Sequence, residues 1–135
     1  MSKKQIILIV DDEADDREIL RDAFMSKHKD HREYVFIETG DHLLEYLENN
    51  GELPALVMLD LNMPGKDGRE ALKQIKGDER WRSIPIIIFT TSGSQRDKEM
   101  SYSLGANCFI TKPDTFNKLV EMANCVTQIW LQDSF

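Results

Sequence analysis

Apolar residues cluster into five short runs, at Gln5–Val10, Tyr34–Glu38, Ala55–Leu59, Ile84–Phe89 and Asn107–Ile110. Three of them (Ile6-Ile7-Leu8-Ile9-Val10, Leu56-Val57-Met58-Leu59 and Ile86-Ile87-Ile88-Phe89) are nearly unbroken rather than alternating. Unbroken runs predict strands covered on both faces, as in a parallel sheet. Between and after them the apolar positions take helical spacing, predicting helices over 14–27, 42–49, 68–76, 94–104 and 116–131. Ile19, Leu20, Ala23 and Phe24 line the first; Leu43, Leu44 and Leu47 line the second. The third follows Asp67, has Glu70 as its capping-box partner and stops at Gly77; the fourth follows Ser92 to Ser94. Strand and helix alternating five times predict an α/β fold, a doubly wound five-stranded parallel sheet with helices on both faces. No repeat, low-complexity segment or linker interrupts it, so one domain over residues 1–135 is expected.

Charge narrows the partners. The net charge is −7, from 24 Asp plus Glu against 17 Lys plus Arg, which argues against non-specific binding to nucleic acid or an anionic membrane surface. The run Ile6 to Val10 is too short for a signal peptide's apolar region and ends in two aspartates. No stretch approaches the length that spans a bilayer. Cys108 and Cys125 lack metal spacing and are expected to be reduced, in a cytoplasmic protein.

Open parallel sheets bind ligands beyond the carboxyl ends of their strands. Asp11 and Asp12 follow the first run, Asp60 the third, Thr90 and Thr91 the fourth, and Lys112-Pro113 the fifth. Each has an ordinary explanation alone: the acid pair as a helix cap, Asp60 as turn chemistry, Thr90 as a strand end. Together they place three carboxylates, a hydroxyl and an ammonium on one rim. Carboxylates about 5 Å apart repel by roughly 3 kcal/mol per pair at an effective dielectric of about 20. One lysine cannot offset three, whereas a hard divalent ion with oxygen ligands such as Mg²⁺ can. Zinc is disfavoured, since no His or Cys lies at the rim. With the metal in place, one carboxylate can attack phosphorus and form an acyl phosphate.

With these residues in view, the chain resembles the receiver domain of two-component response regulators. The resemblance is carried by Ile7-Leu8-Ile9-Val10-Asp11-Asp12, by Leu59-Asp60-Leu61-Asn62-Met63-Pro64 with Asp67-Gly68, and by Thr90, Gly105-Ala106 and Lys112-Pro113. It implies strand order 2-1-3-4-5, the order for which a chemotaxis receiver is a standard illustration. It implies Asp60 as phosphoacceptor, with Mg²⁺ held by Asp11, Asp12, Asp60 and the backbone carbonyl of Asn62. Lys112 would pair with the phosphoryl oxygens across a cis bond to Pro113, and Thr90 would be the switch hydroxyl. Phe109 would be the switch aromatic, with no hydroxyl to bond. The implied partner is a sensor histidine kinase. The segment Asp78 to Pro85, with Thr90-Thr91-Ser92, resembles small receivers paired with phytochrome-type histidine photoreceptor kinases. A stand-alone switch is expected; the alternative is a phosphorelay carrier that hands its phosphoryl group to a histidine phosphotransfer protein.

Two helices suggest where output lies. Over Gln95 to Leu104 only Met100, Tyr102 and Leu104 are apolar, so the fourth helix is expected to be weakly held. On the last, Phe116, Leu119, Val120, Ala123, Val126 and Trp130 form one stripe at 100° per residue; Met122, Cys125 and Ile129 form a second. A homodimer through the second stripe is the expectation, against an apolar-rich helix with no such role. The loop His28 to Arg32 reads as a solvated turn rather than a metal site. Other functions fit less well. A haloacid-dehalogenase-type phosphatase needs an Asp where Asn62 stands, and an FMN carrier needs a Gly/Ser/Thr-rich loop where Asp11 to Asp16 would repel phosphate. A phosphate-independent adaptor would not need the complete acid set.

Overall fold

The unbroken apolar runs have a simple cause. In β1 (Gln5–Val10) Leu8 and Val10 face one apolar cluster while Ile7 and Ile9 face another on the opposite side of the sheet. The structure, a computed structural model, describes residues 5–26, 32–63, 68–91 and 93–131. The period of two continues in β3 (Leu56–Leu59), where Val57 and Leu59 alternate with Leu56 and Met58. In β4 (Ile86–Thr90) Ile86 and Ile88 alternate with Ile87 and Phe89. β2 (Arg32–Ile37) and β5 (Cys108–Thr111) lie at the edges and are only partly buried. All pairings are parallel and the order is β2-β1-β3-β4-β5, as the resemblance implied.

Helices cover both faces. α1 (Ala14–Met25) and α5 (Phe116–Trp130) bring Leu20, Ala23, Phe24, Leu119, Ala123 and Val126 to one cluster. α2 (Gly40–Asn49) and α3 (Gly68–Lys76) bring Leu43, Leu47, Ala71, Leu72 and Ile75 to the other. Each buried Leu, Ile, Val or Phe among them contributes about 1.5–3 kcal/mol. α4 (Gln95–Ser103) is different, since Ser101 is its one buried residue. It is held by polar bonds: Asp97 pairs with Arg69 of α3 at 3.0 Å, and the Tyr102 hydroxyl accepts from the Phe109 N–H of β5 at 3.1 Å. Position 109 is thus tied to α4 through its backbone N–H, while the Phe109 ring has no hydroxyl to bond.

Several boundaries differ from the sequence reading for local reasons. β4 starts at Ile86 because Pro85 precedes it; the Pro85 carbonyl accepts from Val57 N at 2.9 Å. β5 starts at Cys108 because Asn107 is a cap, its Oδ1 accepting from Ile86 N and Lys76 Nζ. Lys76 also donates to the Ile84 and Arg82 carbonyls, and so staples the segment containing buried Trp81 to the start of β4. α2 begins at Gly40, two residues early, because the Thr39 hydroxyl accepts from His42 N. β2 gains Arg32 and Glu33, while the predicted end of α1 at 27, the His28–His31 loop and the Asp67 cap lie outside the described residues. On α5, Phe116, the first residue of the helix, is half exposed, and Met122 packs against the core. The second stripe therefore reduces to Cys125 and Ile129, both exposed.

One glycine sets the spacing between α3 and the third strand's end. A Cβ on Gly68 would overlap the Asp60 carbonyl oxygen and lie 2.9 Å from Leu61 Cα, and Gly68 N donates to Leu61 O. Backbone cannot yield as a flexible side chain can. Gly68→Ala is expected to lower unfolding free energy by about 2 kcal/mol in denaturant titrations, the scale of an overpacked site. Gly51→Ala, with nothing within 4 Å of the new methyl, should not.

Candidate acid-pocket site

The sheet order places the ends of β1 and β3 side by side and β5 two strands from β3. Asp11 and Asp60 are accordingly neighbours: Asp60 N donates to the Val10 carbonyl at 3.0 Å, and Asp11 N to the Ile37 carbonyl. Both carboxylates are bound in the same way. Asp11 Oδ1 accepts from the Glu13 N–H at 3.0 Å, and Asp60 Oδ1 accepts from the Asn62 N–H at 3.1 Å. This is the turn in which an aspartate bonds backbone two residues on. It leaves each Oδ2 facing inward, where Lys112 Nζ donates to Asp11 at 2.7 Å and to Asp60 at 3.2 Å.

The ordinary reading of the acid pair as a helix cap does not hold. Glu13 is the N-cap of α1 and makes no side-chain cap bond. Asp11 is instead 5% exposed, and its carbonyl accepts from Arg17 Nη1 at 2.8 Å. Asp12 is exposed. Carboxylate oxygens of Asp11, Asp12 and Asp60 all lie within 4.8 Å of one another. An octahedral ion with Mg–O distances of about 2.0–2.1 Å spans about 4.2 Å between opposite ligands, so three such oxygens can close on one small hard cation. The donor set fits Mg²⁺ by its chemistry too, being all oxygen and strongly anionic.

Thr90, fully buried, joins the group through Asn62, whose Nδ2 lies 3.4 Å from Thr90 Oγ1, a long and weak bond. Lys112 is fixed at its backbone by donating to the Thr90 carbonyl at 2.9 Å. Its bond to Pro113 is trans, which corrects the expected cis geometry. Trans is the intrinsically favoured isomer, and with it the amine still reaches both acids. All the predicted residues therefore meet at one place: Asp11, Asp12 and Asp60 directly, Lys112 between them, Thr90 and Asn62 alongside. Two more belong that the sequence reading did not single out. Asp16 accepts from Lys112 Nζ at 3.1 Å, and Arg17 clamps the Asp11 carbonyl. The available signal for Asp16 is its place in the first turn of α1, where side chains lean back toward the strand ends.

Burial and neighbouring charge both act on protonation at the site. Burial raises the Asp11 pKa above 3.8, the nearby Asp60 charge adds to the rise, and the bonds from Lys112 and Glu13 N–H only partly offset it. Burial works against the Lys112 ammonium, but its bond to Asp11, the charges of Asp60 and Asp11, and its bond to Asp16 outweigh that and hold its pKa above the usual lysine value. The Asp11 rise is chiefly the cost of burying its charge, and the Lys112 rise comes from the acids that surround it. The stability linked to Asp11 is therefore full below 3.8 and is lost as pH rises through its raised folded-state pKa. Mg²⁺ should offset that loss, raising the melting temperature more at neutral than at acidic pH. At a hundredfold excess over Kd the gain is about 2.7 kcal/mol. Asp12→Ala should weaken it, as read by Mg²⁺ titration in thermal melts.

Comparison with known proteins agrees with this geometry. The profile of the "Response regulator receiver domain" matches residues 7–124. Response regulator Rcp1 of Synechocystis sp. is 33% identical over 95% of this chain and 90% of its own length. Chemotaxis protein CheY1 of Helicobacter pylori is 30% identical over 89% of this chain and 94% of its own length. Among solved structures, the phosphorylated cyanobacterial phytochrome response regulator RcpA superposes with a TM-score of 0.89 at 31% identity, covering 98% of this chain and 97% of that one. The Mn²⁺-bound form of Rcp1 superposes at 0.84 with 30% identity, covering 97% of each. With the acid pocket, the sheet order and these matches in agreement, the chain belongs to the response regulator receiver domain family.

Proposed function

We propose that this protein is a switch in a two-component pathway whose phosphoacceptor is Asp60 and whose metal is Mg²⁺. The observation that carries the reading is the shared orientation of Asp11 and Asp60, each with Oδ1 tied to backbone and Oδ2 turned to Lys112. A carboxylate held at both oxygens presents a fixed face to an incoming phosphorus. In transfer from a histidine kinase, an Asp60 oxygen bonds phosphorus as the P–N bond breaks, and the imidazole keeps the electron pair and takes a proton from solvent. Lys112 then moves one N–H to the phosphoryl oxygens, and Thr90 turns its hydroxyl to another. The chemistry a bound Mg²⁺ supplies there is neutralisation of charge on the transferring group; Asp11, Asp12, Asp60 and the Asn62 carbonyl would hold it. On this reading the protein supplies the positioned groups for its own phosphorylation and slow dephosphorylation, and is not an enzyme acting on other substrates.

The partner on this reading is a sensor histidine kinase, in particular a phytochrome-like photoreceptor kinase. The support is the likeness to Rcp1 and RcpA, together with the segment Asp78 to Pro85, in which Trp81 is buried beneath the Arg80 guanidinium. A phosphotransfer protein as second recipient is the alternative. The chain works as one receiver unit in this proposal, in the cytoplasm, where its two unpaired cysteines would stay reduced. No described helix is long and apolar enough to cross a membrane.

Incubation with acetyl phosphate and Mg²⁺ should add the mass of one phosphoryl group to the wild type and none to Asp60→Asn; labelling of that variant at wild-type level would overturn the assignment. A dimer through α5 is a weaker second part of the proposal, favoured by Ile129, 65% exposed, beside Cys125. Sedimentation velocity with and without a phosphate mimic should show a dimer that Ile129→Glu dissociates. A wild type that stays monomeric under both conditions removes it.

A further inference from the structure

The Lys112 ammonium has three N–H donors and uses each on a different carboxylate: Asp11 at 2.7 Å, Asp16 at 3.1 Å and Asp60 at 3.2 Å. The three acceptors are not equivalent. Asp11 and Asp60 belong, with Asp12, to the group whose oxygens converge within 4.8 Å, and Asp16 does not. A divalent ion in that group competes with Lys112 for Asp11 and Asp60, and a phosphoryl group on Asp60 changes the second of them again. Asp16 is untouched by either event. It stands in the first turn of α1, a helix anchored by buried Leu20, Ala23 and Phe24, where the N-terminal dipole favours a negative side chain.

We infer that Asp16 is a positioning residue for Lys112, holding the ammonium over the acid pocket when the pocket's own carboxylates are claimed by metal and phosphoryl oxygens. This rests on the assignment of Asp60 and Lys112 above. The need for such an anchor is visible beside it. Lys112 and Asp16 border a cleft of about 300 Å³ that also contacts Ile19, Leu20, Phe89 and Phe116. A lysine released from Asp11 and Asp60 could swing toward water there on its flexible four-carbon stem. The Asp16 bond opposes that swing. Its side chain is 45% exposed, against 12% for Lys112, so its effect is several-fold rather than absolute.

The test compares Asp16→Ala, which removes the acceptor, with Asp16→Asn, which keeps an oxygen but not the charge. The first readout needs no phosphorylation: solvent exchange of the Lys112 ammonium protons, followed by ¹⁵N NMR in the Mg²⁺-saturated full chain. Exchange should be faster by about threefold or more in the alanine variant and intermediate in the asparagine variant, the scale of a partly exposed ion pair. The second is labelling by acetyl phosphate at saturating Mg²⁺. Its maximal rate should fall by about three- to fivefold in Asp16→Ala with the donor KM little changed, and recover by at least about half in Asp16→Asn. If both exchange and maximal rate in Asp16→Ala match the wild type, the inference is wrong. Should the alanine variant lose thermal stability, the asparagine variant decides: exchange and rate recovered by about half or more toward wild type there would support the positioning role, and both at the alanine level would overturn it. Labelling that persists in Asp60→Asn would remove the phosphoacceptor reading, while the exchange measurement would still decide on Asp16.

Discussion

The structure depends on an unfavourable electrostatic arrangement that the sheet enforces. Parallel strands end on one side, so residues just past β1 and β3 are brought together whatever their charge. Here those residues are Asp11 and Asp60, both buried, with Asp12 at the margin. Lys112, delivered from the end of β5, answers part of that charge and is itself divided among three acids. What remains is a site poised to take up a cation, and through it a further anion. Burial of that charge raises the pKa of Asp11, and the Asp60 charge adds to the rise.

Such a site needs a rigid frame. It is supplied by a sheet whose central strands are buried on both faces, with two apolar clusters that share no residue. The backbone then fixes the reactive groups: the turn bonds at Asp11 and Asp60 lock the carboxylate planes, Arg17 holds the Asp11 carbonyl, and the bare Cα of Gly68 lets α3 press against the loop after Asp60. Close packing of this kind transmits a displacement rather than absorbing it.

The opposite property appears one helix away. α4 buries a single serine and is tied down by the Arg69–Asp97 pair and the Tyr102–Phe109 bond. An element held by a few polar links opens at lower free energy than one held by a core. It lies next to β5, which carries Lys112 at its end and Phe109 within it. The pocket thus has a stiff core on one side and a loosely fastened helix on the other.

The sequence by itself determined the layer architecture, because unbroken and amphipathic apolar runs leave a parallel sheet as the arrangement that buries them. It also determined most of the residues that reach the rim, since Asp11, Asp60 and Lys112 follow directly on strands and Thr90 ends one. What it left open were relations between distant segments. Asp16 is one of several acids after β1, and only the pitch of α1 relative to the end of β5 selects it for Lys112. Phe116 and Met122 fit their stripes by angle alone, yet the first is half exposed and the second packs against the core. The cis bond expected at Pro113 came from the resemblance alone, and the structure has the intrinsically favoured trans isomer. Periodicity records how a segment is covered; it carries no information on the register between segments far apart in the chain, and that register is what three-dimensional packing supplied.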